Sequence, residues 1–188
     1  MDAGWIALGM LAAIAALVGW GIAAYNRFVA LDAQARAAWA DVDVLLKRRA
    51  NLIPNLVETV KGYMRHERET LTKVTQARRL AAQARTPAER SAAEAGISQA
   101  LGRLFALAES YPELKANANF LDLQKQLAEA EDLIQNARRY YNAVVRDYNT
   151  RLRSFPDLIV AGMFRFRPLE YFELDDAAAR QPPIVRFP

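Results

Sequence analysis

From Phe28 onward the apolar positions advance in steps of three and four: Phe28, Leu31, Ala35, Ala38, Val42, Leu45, then Leu52, Leu56 and Tyr63. Only Arg49 interrupts the series. A repeat near 3.5 residues keeps one stripe of a helix apolar, and its persistence past Pro54 predicts one long helix from residue 26 to about 85, where the pattern fades. Asp43 with Lys47 and Glu69 with Lys73 stand four apart on exposed positions, in the favourable order. "TPAE" opens a second helix, with Thr86 as N-cap, Pro87 at the first helical position and Glu89 completing a capping box. That helix carries Ile97, Leu101, Leu104 and Ala108 and stops before Tyr111-Pro112. "YPELKANAN" is a connector with room for one helical turn, and Asn119 with Asp122 three later marks the next N-cap. The third helix repeats without a miss through Phe120, Leu123, Leu127, Ala130, Ile134, Ala137, Tyr141, Val144 and Tyr148, and ends at Ser154-Phe155-Pro156. Beyond it, "DLIVAGMFRFRPLEYFEL" is short and apolar and should pack on the bundle, while "DDAAARQPPIVRFP" reads as an extended tail.

Ahead of these helices lies "AGWIALGMLAAIAALVGWGIAA", residues 3–24, with no charged side chain. At helical rise it spans roughly 33 Å, enough for the hydrocarbon core of a bilayer. Trp5, Trp20 and Tyr25 lie near its ends, where aromatic rings favour the interface. A cleaved signal peptide would carry a basic first segment and a shorter apolar run; Asp2 and the length of the run point instead to a retained anchor. Arg27, Arg36, Lys47, Arg48 and Arg49 follow the span. The positive-inside rule therefore places the body in the cytoplasm and the span in the cell (inner) membrane as a single pass.

Neighbouring helices with short connections pack antiparallel by default. Two topologies fit: the first helix pairs with both later helices in turn, or it folds back near Pro54 into a compact four-helix bundle. The first is preferred because no Gly-rich turn surrounds Pro54. With Leu52 and Leu56 facing the seam, Pro54 falls on the solvent face and leaves the Ala50 carbonyl without its helical partner, free to meet water. Pro54 is thus expected to be a structural kink that curves the helix over its core. The fold class is all-α: a transmembrane helix continuing into an antiparallel bundle of long helices. It divides into an anchor (1–25), a bundle (26–173) and a Pro-containing tail (174–188).

Composition narrows the chemistry. The 188 residues include eight Gly, eight Pro, one His and no Cys. Absence of Cys removes disulfides, thiolate zinc sites, iron–sulfur clusters and a Cys nucleophile together. His66 alone does not build a histidine metal site or a Ser-His-Asp triad, and "RHERET" begins like a zinc-protease HExxH but holds Thr70 at the second histidine position. His66 reads instead as a partly buried or interfacial helix residue. Glu129, Glu131 and Asp132 form an acidic cluster, with Glu58 and Glu67 on the first helix; on long helices such groups are usually solvated faces. No cofactor is expected. The chain is basic, at formal +4 and pI near 9.5, which suits anionic partners.

The stretches "YNRFVALDAQARAAWADVDVLLKRRANLIPNLVETVKGYMRHERETL", "LFALAESYPELKANANFLDLQKQLAEAEDLIQNARRYYNAVVRDYN" and "FPDLIVAGMFRFRPLEYFE" resemble the LemA family of bacterial membrane proteins. The match runs from the anchor to Glu173. The resemblance implies a single-pass membrane protein with an up-and-down helical bundle and no established catalytic residues. The family also contains a magnetosome membrane-formation protein, which hints at membrane organisation or scaffolding.

Two side-chain groups stand out. Tyr141-Asn142 and Tyr148-Asn149 repeat seven residues apart, placing hydroxyls at the rim of the core stripe; they either fix helix register or line a polar ligand seam. Arg151, Arg153, Arg165 and Arg167, with Arg146, concentrate near the C-terminal end among Phe155, Phe164 and Phe166. They either cap the bundle or meet anionic headgroups where the third helix returns toward the bilayer. No nucleic-acid reader motif accompanies them, so nucleic acid is not expected as a partner. The partners expected are membrane lipid through residues 3–24 and a protein partner or further copies of the chain. The leading function is a membrane-anchored, non-enzymatic scaffold or adaptor; the alternative is a small-ligand sensor or enzyme using the Tyr/Asn/Glu seam.

Overall fold

The computed structural model describes residues 3–172, and its regular elements are all helices: α1 (Ala3–Lys61), α2 (Arg68–Gln83), α3 (Pro87–Ala108), α4 (Pro112–Lys115), α5 (Ala118–Arg153) and α6 (Asp157–Met163). The expected tail, 174–188, lies outside the described residues. Two compact units emerge among the described residues, one from 3–41 with Arg139–Glu170, the other from Val42–Arg138 with 171–172. Span and first bundle helix are one element, as the unbroken pattern predicted.

The single helix expected to run to residue 85 is corrected. α1 ends at Lys61, and α2 folds back beside it, so that Arg78 Nε donates 2.8 Å to the Ala50 carbonyl. The reversal occupies Gly62–Glu67, not Pro54, which stays inside α1 and exposed. Val60 O accepts from both Tyr63 N (3.0 Å) and Met64 N (2.9 Å), closing the helix end. Met64 is fully buried and pins the turn into the core. Gly62 lowers the helical preference at the break by about 1 kcal/mol relative to Ala. The turn is also tied sideways, with Asn117 Nδ2 donating to Tyr63 Oη at 3.0 Å and Tyr111 Oη donating to Glu67 Oε1 at 3.4 Å. His66 lies exposed on this turn, not on a helix.

The remaining local signals translate well. Thr86 Oγ1 accepts from Glu89 N at 3.2 Å while Glu89 Oε2 accepts from Thr86 N (3.4 Å) and Arg85 N (2.9 Å), the reciprocal capping box. Those backbone donors hold the Glu89 carboxyl below its ordinary range. The cap of α5 is Asn117, whose Oδ1 accepts from Phe120 N at 3.0 Å, two residues before the expected Asn119. Along α5 the whole predicted stripe is buried except Ala137, which is half-buried.

The second unit packs Ile53, Leu56 and Val60 of α1 against Leu71, Val74 and Ala81 of α2, Ile97, Leu101 and Leu104 of α3 and Phe120, Leu123 and Leu127 of α5. The first unit closes around Ala24, Phe28 and Leu31 of α1, Tyr148 of α5 and Val160 and Ala161 of α6, with Trp20, Leu152 and Phe166 at its border. Within it, Trp39 lies beside Tyr141 (centroids 5.4 Å) and Phe28 beside Tyr148 (5.9 Å), so α5 runs antiparallel to α1.

Candidate membrane-proximal surface and buried polar clusters

Residues 4–19 of α1 are exposed on every face, including Trp5, Leu8, Leu11, Ile14 and Leu17. A helix apolar all round and uncovered by its own fold matches a bilayer, not water. It is the one helix among the described residues long and apolar enough to cross a membrane. Packing begins at Trp20 and Gly21, still inside the apolar run, and is complete at Ala24.

The basic aromatic cluster is divided by the fold. Arg151 Nη1 pairs with Asp157 Oδ2 at 2.7 Å and closes the corner between α5 and α6. Phe166 stacks on Phe28 (4.9 Å) and reaches Tyr25 (5.7 Å). Phe164 lies 4.7 Å from Tyr25 yet stays half-exposed. Arg153, Arg165 and Arg167 are exposed. So are Phe155, Leu158, Ile159 and Met163 on the corner and the outer face of α6. The last three were legible only as part of an apolar run too short to say which side would be covered.

α6 ends in a Schellman motif: Phe166 N donates to Ala161 O (3.0 Å) and Arg165 N to Gly162 O (3.3 Å). The left-handed position of that motif, normally glycine, holds Arg165 at φ 57°. A side chain there costs about 1–2 kcal/mol of backbone strain. Strain of this kind directs attention to what the side chain does.

The Tyr/Asn repeat meets backbone. Tyr141 Oη donates to Glu170 O at 2.8 Å; Asn149 accepts from Leu169 N and donates to Leu169 O, each 2.9 Å. Burial, then the nearby Glu170 carboxylate, pushes the Tyr141 phenol up to about 12. Tyr148 is buried against Phe28, and its phenol is raised chiefly by that burial. Asn142 is half-buried.

The second unit holds a polar cluster of which the sequence singled out Arg49, Glu131 and Asp43 separately, and Glu94, Arg90 and Ser98 not at all. Arg49 occupies the core stripe of α1 and is buried; its Nη2 pairs with Glu94 of α3, and its Nη1 pairs with Glu131 of α5 and donates to Ser98 Oγ at 3.1 Å. Arg90 extends the network, lying 3.2 Å from Glu94 and 3.4 Å from Asp43 and donating to the Ala81 carbonyl at 2.8 Å. The acidic cluster is thereby split: Glu131 is half-buried on Arg49, whereas Glu129 and Asp132 are exposed. A groove of about 380 Å³ opens beside Arg49 and Glu131, walled by Leu101, Phe105 and Leu127. Among the described residues no group of three or more His, Asp or Glu side chains is placed to hold a metal ion.

Known proteins resemble this sequence. The LemA family pattern matches residues 38–187. A magnetosome protein MamQ of Paramagnetospirillum magneticum is 26% identical over 187 aligned residues, covering 86% of this chain and 68% of the relative. MamQ of Magnetospirillum gryphiswaldense is 25% identical with the same coverage. Protein LemA of Metamycoplasma hominis is 27% identical over 146 aligned residues, covering 71% of this chain and 65% of the relative. The long apolar stem, the all-helical body and this match over most of its length make the chain a member of the LemA family.

Proposed function

We propose that the protein is a membrane-anchored, non-enzymatic scaffold or adaptor that holds helical surfaces close to a bilayer for a protein partner or for further copies of itself. One observation carries the reading: the membrane stem and the spine of the first unit are a single helix without a linker, packed from Trp20 onward. A body joined in this way is held at the bilayer surface, as a scaffold requires and a soluble catalyst does not. Side-chain chemistry supports it. Arg49, Glu94, Glu131 and Arg90 neutralise one another between helices, and Tyr141 and Asn149 clasp the backbone of 169–170. Those groups are paired with one another or with backbone, which favours a register-fixing role over a reactive one. Two of the relatives are named as magnetosome proteins, and an organising role beside a membrane is the reading carried from them to this chain.

The body is read as cytoplasmic and the membrane as the inner one, from the basic residues Arg27, Arg36, Lys47 and Arg48 that follow the span. Protease treatment of sealed inverted vesicles should digest the body; protection there contradicts the orientation. The scaffold role is tested by crosslinking in native membranes, where discrete higher-mass species support it.

A further inference from the structure

Five apolar side chains remain exposed where α5 turns into α6: Phe155, Leu158, Ile159, Met163 and Phe164. Their position along the stem is set by the antiparallel pairing. Tyr141 lies at Trp39 and Tyr148 at Phe28; α5 continues five residues past Tyr148 to Arg153, which brings the corner that begins there, Phe155 included, level with the last turns of the apolar run. Leu152 and Trp20 border the same cluster, and Phe164 lies against Tyr25. The exposed face of α6 is therefore carried at the depth where α1 leaves the bilayer. Flanking it, Arg153, Arg165 and Arg167 are exposed, and Arg165 holds a left-handed backbone that glycine would occupy without strain.

We propose that the α5–α6 corner is a second membrane contact, seated in the leaflet from which the body emerges. The apolar side chains enter the boundary between headgroups and acyl chains, and the three arginines contact anionic headgroups. A lipid surface fits better than a second copy of the chain because this face is continuous with the stem's own interfacial residues Trp20 and Tyr25. The contact would also fix the rotation of the first unit about the stem axis, which a stem alone leaves free. This inference rests on the membrane-spanning reading of α1 and not on the scaffold role.

The chain has no cysteine, so single reporters can be placed directly. The full-length protein, carrying one fluorophore through Leu158→Cys or Met163→Cys, is reconstituted in phosphatidylcholine vesicles with and without phosphatidylglycerol. Ile14→Cys reports the stem and Ala37→Cys an exposed site beyond it. Nitroxide lipids should quench the reporters at 158 and 163 severalfold more than the one at 37. Replacing Arg153, Arg165 and Arg167 by Gln should reduce that quenching in phosphatidylglycerol vesicles more than in neutral ones. Quenching at 14 with none at 158 and 163 overturns the second contact and leaves the anchor standing. No quenching at 14 overturns the anchor itself. Reporters at 158 and 163 shielded from an aqueous quencher yet untouched by nitroxide lipids would show that another copy covers the face, and would also overturn the proposal.

Discussion

Arg78 Nε donates a 2.8 Å hydrogen bond to the carbonyl of Ala50, the group that Pro54 deprives of its helical donor. The proline's lost bond thus becomes a bond between α1 and α2. Water was the partner expected from the sequence; a folded-back second helix supplies a guanidinium instead. Pro54 and Arg78, 24 positions apart in sequence, act on one oxygen.

A double-mutant cycle measures this link. Arg78→Ala should destabilise the protein by about 1–2 kcal/mol, because the Ala50 carbonyl loses the guanidinium donor. In a Pro54→Ala background, where the residue 54 amide can bond Ala50, the same change should cost clearly less. Chemical denaturation reads both values, and strict additivity would count against a shared acceptor. Spin labels at Val44→Cys and Lys61→Cys should also move apart in Pro54→Ala if the proline bends α1.

Arg49 bridges three helices from the core. Arg49→Ala leaves buried Glu94 with Arg90 as its remaining cation and strips Glu131 of its partner, and should cost about 3 kcal/mol, the lower end for breaking a buried pair; Arg49→Lys should recover only part of this, since one ammonium cannot reach both carboxylates as the planar fork does. Replacing Arg49 with Met and Glu94 with Leu together should restore most of the stability. Equal losses in the single and paired variants would show that the ion pairs themselves, not uncompensated burial, hold the unit.

Much of this was legible in the sequence, for a physical reason: caps and stripes are local. Thr86 and Glu89 meet within one turn, and the α5 stripe needs only its own periodicity. The Gly62–Glu67 reversal was hidden because α2 also presents Leu71, Val74 and Ala81 to the same core, so the apolar rhythm runs on while the chain turns back. The Arg49 cluster left half a signal. Arg49 broke its stripe, and Glu94 lies three before Ile97 on another, but only the packed helices show that they meet.

Tyr141 gives the fold a pH dependence. Its phenol titrates near 10.0 when unfolded and at about 12 in place, so between those values the folded state keeps a proton that the unfolded chain has lost. Stability is full below about pH 10 and falls as pH rises toward about 12. Tyr141→Phe should cost about 1 kcal/mol at neutral pH through the lost bond to Glu170 and should flatten the alkaline decline. Tyr148 and Tyr111, also raised, retain part of it. An unchanged slope in Tyr141→Phe would assign the alkaline loss elsewhere.

Arg165→Gly separates folding from surface chemistry. Relief of the left-handed strain should raise stability by about 1 kcal/mol, read as an upward shift in the denaturation midpoint. A fall in stability would mean that the arginine side chain supports the fold through contacts of its own.

A membrane-stemmed helical body that serves as a platform must be found together with the molecules it holds. Crosslinking of the intact protein in native membranes, followed by isolation in mild detergent and identification of what accompanies it, tests that claim most directly. A reproducible protein partner or a defined assembly of the chain with itself is the expected result. A monomer recovered alone, with crosslinks only within one chain, would contradict it.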